Sequence, residues 1–291
     1  MIFTLFGIIA PTFLCALSGF IWGKKKKPFD NNLIALLIMD IGAPALIIST
    51  LTTISLNKSE LLNFSVYTFS ILLVTSLINY LMLLLFKKDI RTFLVATVFG
   101  NHANMGLPLC LFAFGEKGLA LALIYYALVS FFHFTAGIAL MSGSLQLSQL
   151  LKKPIILATI FSCLMLATET SLPQWLNNTL SLLGQMTIPL MLITLGVSLS
   201  RLKIVNLSES LLLSSMRVIT GLAIAFLLTK ALALEGITRG VLILQSGMPL
   251  AIFNYLLAER YKRDPEKIAG MVVTSTLMSL ILLPFILQLI L

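Results

Sequence analysis

Two Gly-x-Pro-Leu tetrapeptides, Gly106-Leu107-Pro108-Leu109 and Gly247-Met248-Pro249-Leu250, each interrupt the middle of a long apolar segment. Proline removes a backbone N–H and crowds the preceding turn, and glycine weakens a helix by its freedom in the unfolded chain. In hydrocarbon a broken helix survives only where its freed backbone groups meet protein or line a polar cavity. Two such breaks in two half-chains mark the binding site of a secondary transporter. The sequence therefore predicts a carrier whose site lies where the two breaks meet, with Gly106, Pro108, Gly247 and Pro249 shaping the crossover.

The apolar setting of these breaks follows from composition. Of 291 residues 58% are hydrophobic and 11% charged, and mean hydropathy is +1.03. A soluble domain carries about 25% charged residues, so this chain is an integral membrane protein. Spans of about 20 apolar residues fall at 3–22, 32–55, 61–86, 91–114, 118–141, 154–171, 174–200, 207–232, 237–258 and 267–290. The expected fold is all-α, with ten transmembrane helices. The first span is read as retained, because Lys24, Lys25, Lys26 and Lys27 follow its apolar stretch where a signal peptide would place them before it.

The net charge of +9 does not point to nucleic acid, because the basic residues sit in short clusters between spans. Fifteen of the 20 basic residues, including Lys87, Lys88, Lys152, Lys153, Arg201 and Arg260, fall in loops after odd-numbered spans. Basic loops stay cytoplasmic, so both termini are expected outside a cytoplasmic (inner) membrane.

The order of features repeats. Pro44 and Pro189 are 145 residues apart, the two Gly-x-Pro-Leu breaks 141, and Glu116-Lys117 and Glu266-Lys267 150. Five spans per repeat is an odd number, so repeats 1–145 and 146–291 are expected to have opposite topology.

Several polar side chains lie within spans, where they are costly without partners. Asn101 and Asn104 beside the first break either bind substrate or satisfy backbone groups freed by Gly106 and Pro108. Gln245, Ser246 and Asn254 stand around the second break and complete the substrate-binding set. Half-helix N-termini facing one pocket favour an anion, which points to a carboxylate-bearing substrate. Arg217 retains its charge and needs a counter-charge, a water path or an anionic ligand; the alternative is that it reaches the surface or caps a carbonyl. Asp40, four residues before Pro44, either pairs with Arg217, binds a proton or cation, or satisfies the kink. His102 is a candidate proton carrier, while His133 is expected to pack.

No nucleophile elbow, zincin motif or Walker loop is present, which argues against an enzyme or an ATP-driven pump. Cys15, Cys110 and Cys163 have no metal-type spacing, and neither a metal nor a cofactor is expected.

Gly100-Asn101 with Gly106-Leu107-Pro108-Leu109, the stretch 188–196, the run 248–254, and Ala258-Glu259-Arg260-Tyr261 with Asp264-Pro265-Glu266 resemble the auxin efflux carrier family. That family includes plant exporters and bacterial malate and malonate permease-like proteins, and the missing long loop between the fifth and sixth spans resembles the bacterial type. The resemblance implies a five-plus-five inverted repeat whose fourth and ninth spans cross at their prolines. It also implies a scaffold of spans 1, 2, 6 and 7 and an elevator-like transport unit made from the rest. Organic acid anions are the implied substrates, Asn101 the implied contact, and a homodimer a possible assembly. A Leu242 at the 141-residue offset departs from a paired asparagine. Ion-coupled transport and an anion channel stand as alternative functions.

Overall fold

The structure is a computed structural model that describes residues 2–54, 57–144, 153–168 and 170–291. The expected repeat boundary at 145/146, and Lys152, lie outside these residues. Among the described residues all regular elements are helical, apart from one antiparallel bridge between Gly100 and Leu250. The helices are α1 Ile2–Lys24, α2 Asn31–Thr53, α3 Lys58–Leu85, α4 Ile90–Val98, α5 His102–Ser142 and α6 Pro154–Thr168. They continue with α7 Gln174–Arg201, α8 Leu207–Ala231, α9 Gly236–Ser246, α10 Ile252–Arg260 and α11 Pro265–Ile290. Seven of them, α1, α2, α3, α5, α7, α8 and α11, are long and apolar enough to cross a bilayer. The chain is therefore an all-α, multi-pass membrane protein.

Polar turn residues start the helices. Asp30 accepts from the Asn32 and Leu33 N–H groups, Asn57 from Glu60, Asp89 from Thr92 and Asn206 from Glu209. Each supplies an acceptor for a first-turn donor that has no intrahelical partner. Two prolines follow widened turns, while Pro11 and Pro284 sit inside α1 and α11 without one and a third widened turn, His133–Gly137, has no proline beside it. A widened π turn, Ile38–Gly42, precedes Pro44, and a second, His102–Gly106, precedes Pro108. Each proline lacks the N–H that would close the usual turn, and the extra residue absorbs the mismatch.

α5 is a hairpin. Gly115 has φ +66° and ψ −158°, backbone outside the helical region and at positive φ. A Cβ on Gly118 would stand 2.6 Å from the Cys110 carbonyl oxygen, although eight residues along one helix span about 12 Å. His102 and Tyr125, 23 residues apart, bring their ring centroids to 5.0 Å. The two legs, 102–114 and 116–142, thus run antiparallel.

The basic turns gather at one end. Lys88 and Lys267 both pair with Glu209, Arg201 Nη2 donates to the Phe29 carbonyl at 3.2 Å, and Lys153 and Arg260 border one cavity. At the other end Lys117 meets Glu60 at 2.7 Å. The division matches the grouping of odd and even loops read from charge.

Two packing groups emerge. α1 lies along α7 and α6 along α2, while α8 packs on α3, α9 and α11. The α1–α7 contact is close because Gly19 and Gly196 remove side chains from it: a methyl on either would overlap the Ile193 or Ala16 carbonyl of the facing helix.

Candidate functional site

The two chain breaks meet, and they meet through backbone. Asn101 N–H donates to the Pro249 carbonyl at 2.7 Å, and Ala251 N–H to the Phe99 carbonyl at 3.4 Å. Pro249 is tolerated here because its carbonyl is used and its missing N–H is not. α4 ends at Val98 and α9 at Ser246, so residues 99–101 and 247–251 form the crossing.

This register corrects two expectations. The crossing lies at Gly100 and Leu250, so Pro249 is in it, whereas Pro108 stands in the first turn of the following helical stretch. A two-strand antiparallel bridge is twofold about its own centre, which here exchanges Gly100 with Leu250. The local offset is therefore 150 residues, as in the Glu-Lys pairs, and not 141. Asn101 corresponds to Ala251, and Asn104 corresponds to Asn254. Leu242 is not in the bridge, and the two Gly-x-Pro-Leu breaks, alike in sequence, differ in position: Gly247 to Leu250 lie in the crossing and Gly106 to Leu109 follow it.

A cavity of about 640 Å³ ends on this crossing. Gly100 to Asn104 and Ala251 to Phe253 border it, and no residue of 90–99 or 236–250 does. The cavity therefore touches the N-terminal turns of both helices that leave the crossing, and neither C-terminal turn of the helices that enter it. N-terminal turns present unpaired N–H groups and the positive end of the helix dipole. Across from them stand Ile38 and Met39 of α2 and Met191, Thr194 and Ser198 of α7; Asp30 and Arg201 stand at its outer end.

Around the crossing the buried polar atoms without a partner among the described residues are mostly donors, although the acceptor Asn254 Oδ1 is left in the same state. Asn101 Oδ1 accepts from Asn104 N–H at 3.2 Å, which fixes the amide orientation and leaves its buried Nδ2 unpartnered. His102 Nε2 accepts from Gly100 N–H at 3.2 Å, so its proton is on Nδ1, facing Gln245 Oε1 at 3.3 Å. That leaves Gln245 Nε2 without a partner. The imidazole is thus held as the neutral Nδ1–H tautomer in this conformation.

Arg217 is 2% exposed and forms no ion pair among the described residues, and its Nε has no partner. A Cβ on Gly221 would stand 2.9 Å from Arg217 Nη1, and one on Gly100 would overlap Nη2. The guanidinium therefore lies directly behind the Gly100 backbone and beside the C-terminal end of α9, not in the cavity wall. On insertion scales such a charge costs about 2.5–3.5 kcal/mol.

The other predicted residues are distributed as follows. Asn101, His102 and half-buried Asn104 line the cavity. Gln245, Ser246 and Asn254 are buried behind it: Ser246 shares a hydrogen bond with Tyr125 at 3.1 Å, and Asn254 Nδ2 donates to the Phe99 carbonyl at 2.8 Å. Gly106 packs against the Gln245 amide, and a side chain there would displace it. Asp40 is not the partner of Arg217. It is exposed, lies within the π turn of α2 and borders a different cavity.

Sequence reasoning missed part of the wall. Tyr126, Ser130 and His133 of α5 line the cavity, as do Thr194 and Ser198. His133 also stacks on Phe99 with centroids 4.2 Å apart, so it packs and lines at once. Thr194 and Ser198 stand four apart on one face of an apolar helix, a polar pair that would have flagged that wall.

A family model described as membrane transport protein matches residues 4–150 and 140–287. The chain belongs to this family, the auxin efflux carrier-like group that its motifs resemble. Similar chains are archaeal members named as transporters. The uncharacterized transporter MJ1031 of Methanocaldococcus jannaschii is 28% identical over 266 residues, 85% of each chain. An uncharacterized transporter of Methanothermobacter thermautotrophicus is 26% identical over 196 residues, 65% of each. The protein is thus a membrane transporter by family.

Proposed function

We propose that the chain is a secondary carrier that moves a small organic acid anion across the cytoplasmic membrane by alternating access. One observation carries the reading: the cavity borders both N-terminal turns and the unpartnered Asn101 amide, and avoids both C-terminal turns. Donors and positive dipole ends converge there, and Arg217 adds a cation behind Gly100 while lying against the opposite, negative end of α9. Asn101 and the half-helix N–H groups hold the carboxylate, Asn104 borders it, and Gln245 and Asn254 fix the crossing. The apolar side chains of Ile38, Met39 and Met191 receive the body of the substrate.

The architecture in this reading is ten spans in two inverted five-helix repeats. The reciprocal packing of α1 on α7 and α6 on α2 supports it, as does the twofold bridge at Gly100 and Leu250. α1, α2, α6 and α7 form the scaffold and the remaining helices the moving unit, with the cavity between them. The cavity reaches Asp30 and Arg201 at the basic end, so this conformation opens to the cytoplasm if the basic loops lie there.

The test is uptake of labelled mono- and dicarboxylates into proteoliposomes. Saturable uptake is expected, and Asn101→Ala should raise the half-saturation concentration about tenfold or more while the protein still folds. Unchanged uptake by that variant removes Asn101 from the site, and non-saturating current identifies a channel.

A further inference from the structure

A second cavity, of about 290 Å³, lies between α2, the start of α6, the second leg of α5 and the C-terminal end of α10. Three charged side chains border it: Asp40, Lys153 and Arg260. None of the three forms an ion pair among the described residues. The two cations rest on aromatic rings instead, Lys153 Nζ 5.5 Å from the Phe134 centroid and Arg260 Cζ 5.7 Å from that of Tyr261. The rest of the wall is mainly apolar, with Leu36, Met39, Ile138, Ile155 and Leu257.

Unpaired charges of both signs, collected over an apolar wall, describe the complement of an amphiphile. Lys153 opens α6 and Arg260 and Tyr261 close α10, all at the basic end, the level at which lipid headgroups meet helix ends. We propose that this cavity binds an aminophospholipid of the surrounding bilayer. Its phosphodiester lies between Lys153 and Arg260, its ammonium faces Asp40, and an acyl chain follows the apolar wall. A free phosphate would leave the apolar wall and Asp40 unmatched. An anionic lipid without an amine would leave the Asp40 carboxylate beside a negative headgroup. The site joins α2 and α6 to α5 and α10. The inference requires only that the chain spans a membrane, and is independent of the solute carried.

The test uses the full chain, purified and delipidated in detergent, and titrated with phosphatidylethanolamine, phosphatidylglycerol or inorganic phosphate. Native mass spectrometry reads adducts and thermal unfolding reads stabilisation by mass action. Phosphatidylethanolamine should bind at least about fivefold tighter than phosphatidylglycerol, and inorganic phosphate should give no shift. Lys153→Gln with Arg260→Gln should weaken phosphatidylethanolamine about tenfold, and Asp40→Asn should abolish its preference over phosphatidylglycerol. These side chains are exposed or half-buried, so the lipid-free Tm of each variant should match the parent. Parental lipid affinity in the double variant, equal binding of the two lipids by the parent, or an equal shift from phosphate would each overturn the proposal.

Discussion

Asn101 reads the second break through its backbone and the cavity through its side chain: its N–H is 2.7 Å from the Pro249 carbonyl, while its Nδ2 is buried without a partner among the described residues. One residue thus ties the crossing together and presents a donor to whatever enters. The crossing itself is held by few bonds, so each of them is testable.

Asn254 supplies one of those bonds. Its Nδ2 donates to the Phe99 carbonyl at 2.8 Å, and the side chain is fully buried. Asn254→Leu removes this donor and leaves the Phe99 carbonyl with only the longer bond from Ala251 N–H, at a cost of about 0.5–1.5 kcal/mol. The unfolding midpoint of the purified variant should fall, and uptake should fall with it. A parental midpoint would show that the Ala251 N–H alone satisfies the Phe99 carbonyl.

Membrane insertion, the positions of most helices and the gathering of basic turns were legible from apolar length and charge, because backbone satisfaction in lipid permits little else. Pro44 and Pro108 were legible as helix disturbances, and the π turns before them are the form these take. The register of the crossing was not. Gly-x-Pro-Leu repeats by sequence at 141 residues, but the bridge follows backbone pairing at 150. Sequence similarity of a tetrapeptide carries no information about whether it lies in a crossing or beyond it. Of the three roles open to Asp40, pairing with Arg217 is the one the geometry removes, because Asp40 is exposed and borders the smaller cavity. Thr194 and Ser198 were missed because weakly polar residues in membrane helices most often bond their own backbone.

At the basic end, Asp89 caps α4 through Thr92, accepting from both its N–H and its hydroxyl. The Thr92 side-chain bond holds the Asp89 carboxyl below its ordinary pKa, against a smaller opposing effect of burial. A depressed folded pKa means the stabilisation is present above the unfolded value, about 3.9, and is lost as pH falls through the folded value. Asp89→Ala should therefore unfold more easily than the parent at pH 7, by about 1 kcal/mol. The gap should narrow below about pH 4. A gap that shows no narrowing as pH falls below about 4 would mean the carboxylate is not its source.

The α1–α7 contact makes a different prediction. A methyl on Gly196 would overlap the Ala16 carbonyl, a backbone atom that cannot swing aside, whereas a Cβ on Gly7 meets nothing within 4 Å. Overpacking of this kind costs about 1–3 kcal/mol. Gly196→Ala should lower both yield and Tm, while Gly7→Ala on the same helix pair should match or slightly exceed the parent. Equal Tm values for the two variants would show that α1 and α7 can separate without loss.

The last prediction concerns the charge behind the crossing. Gly100 has no side chain, and its ideal Cβ would overlap Arg217 Nη2 and stand 3.1 Å from His102 Cε1. Gly100→Ala must push the guanidinium from its place or open the Gly100–Leu250 bridge, so transport should drop about tenfold or more with a lower Tm. Arg217→Gln acts differently. It removes a buried charge that lacks a carboxylate, so the folded protein should lose little stability or gain some. If the charge serves the substrate, anion uptake should nevertheless fall, and Gly100→Ala combined with Arg217→Gln should recover Tm without recovering uptake. Recovery of both together would make Arg217 a packing residue, and retention of full uptake in Arg217→Gln alone would remove the cation from the mechanism.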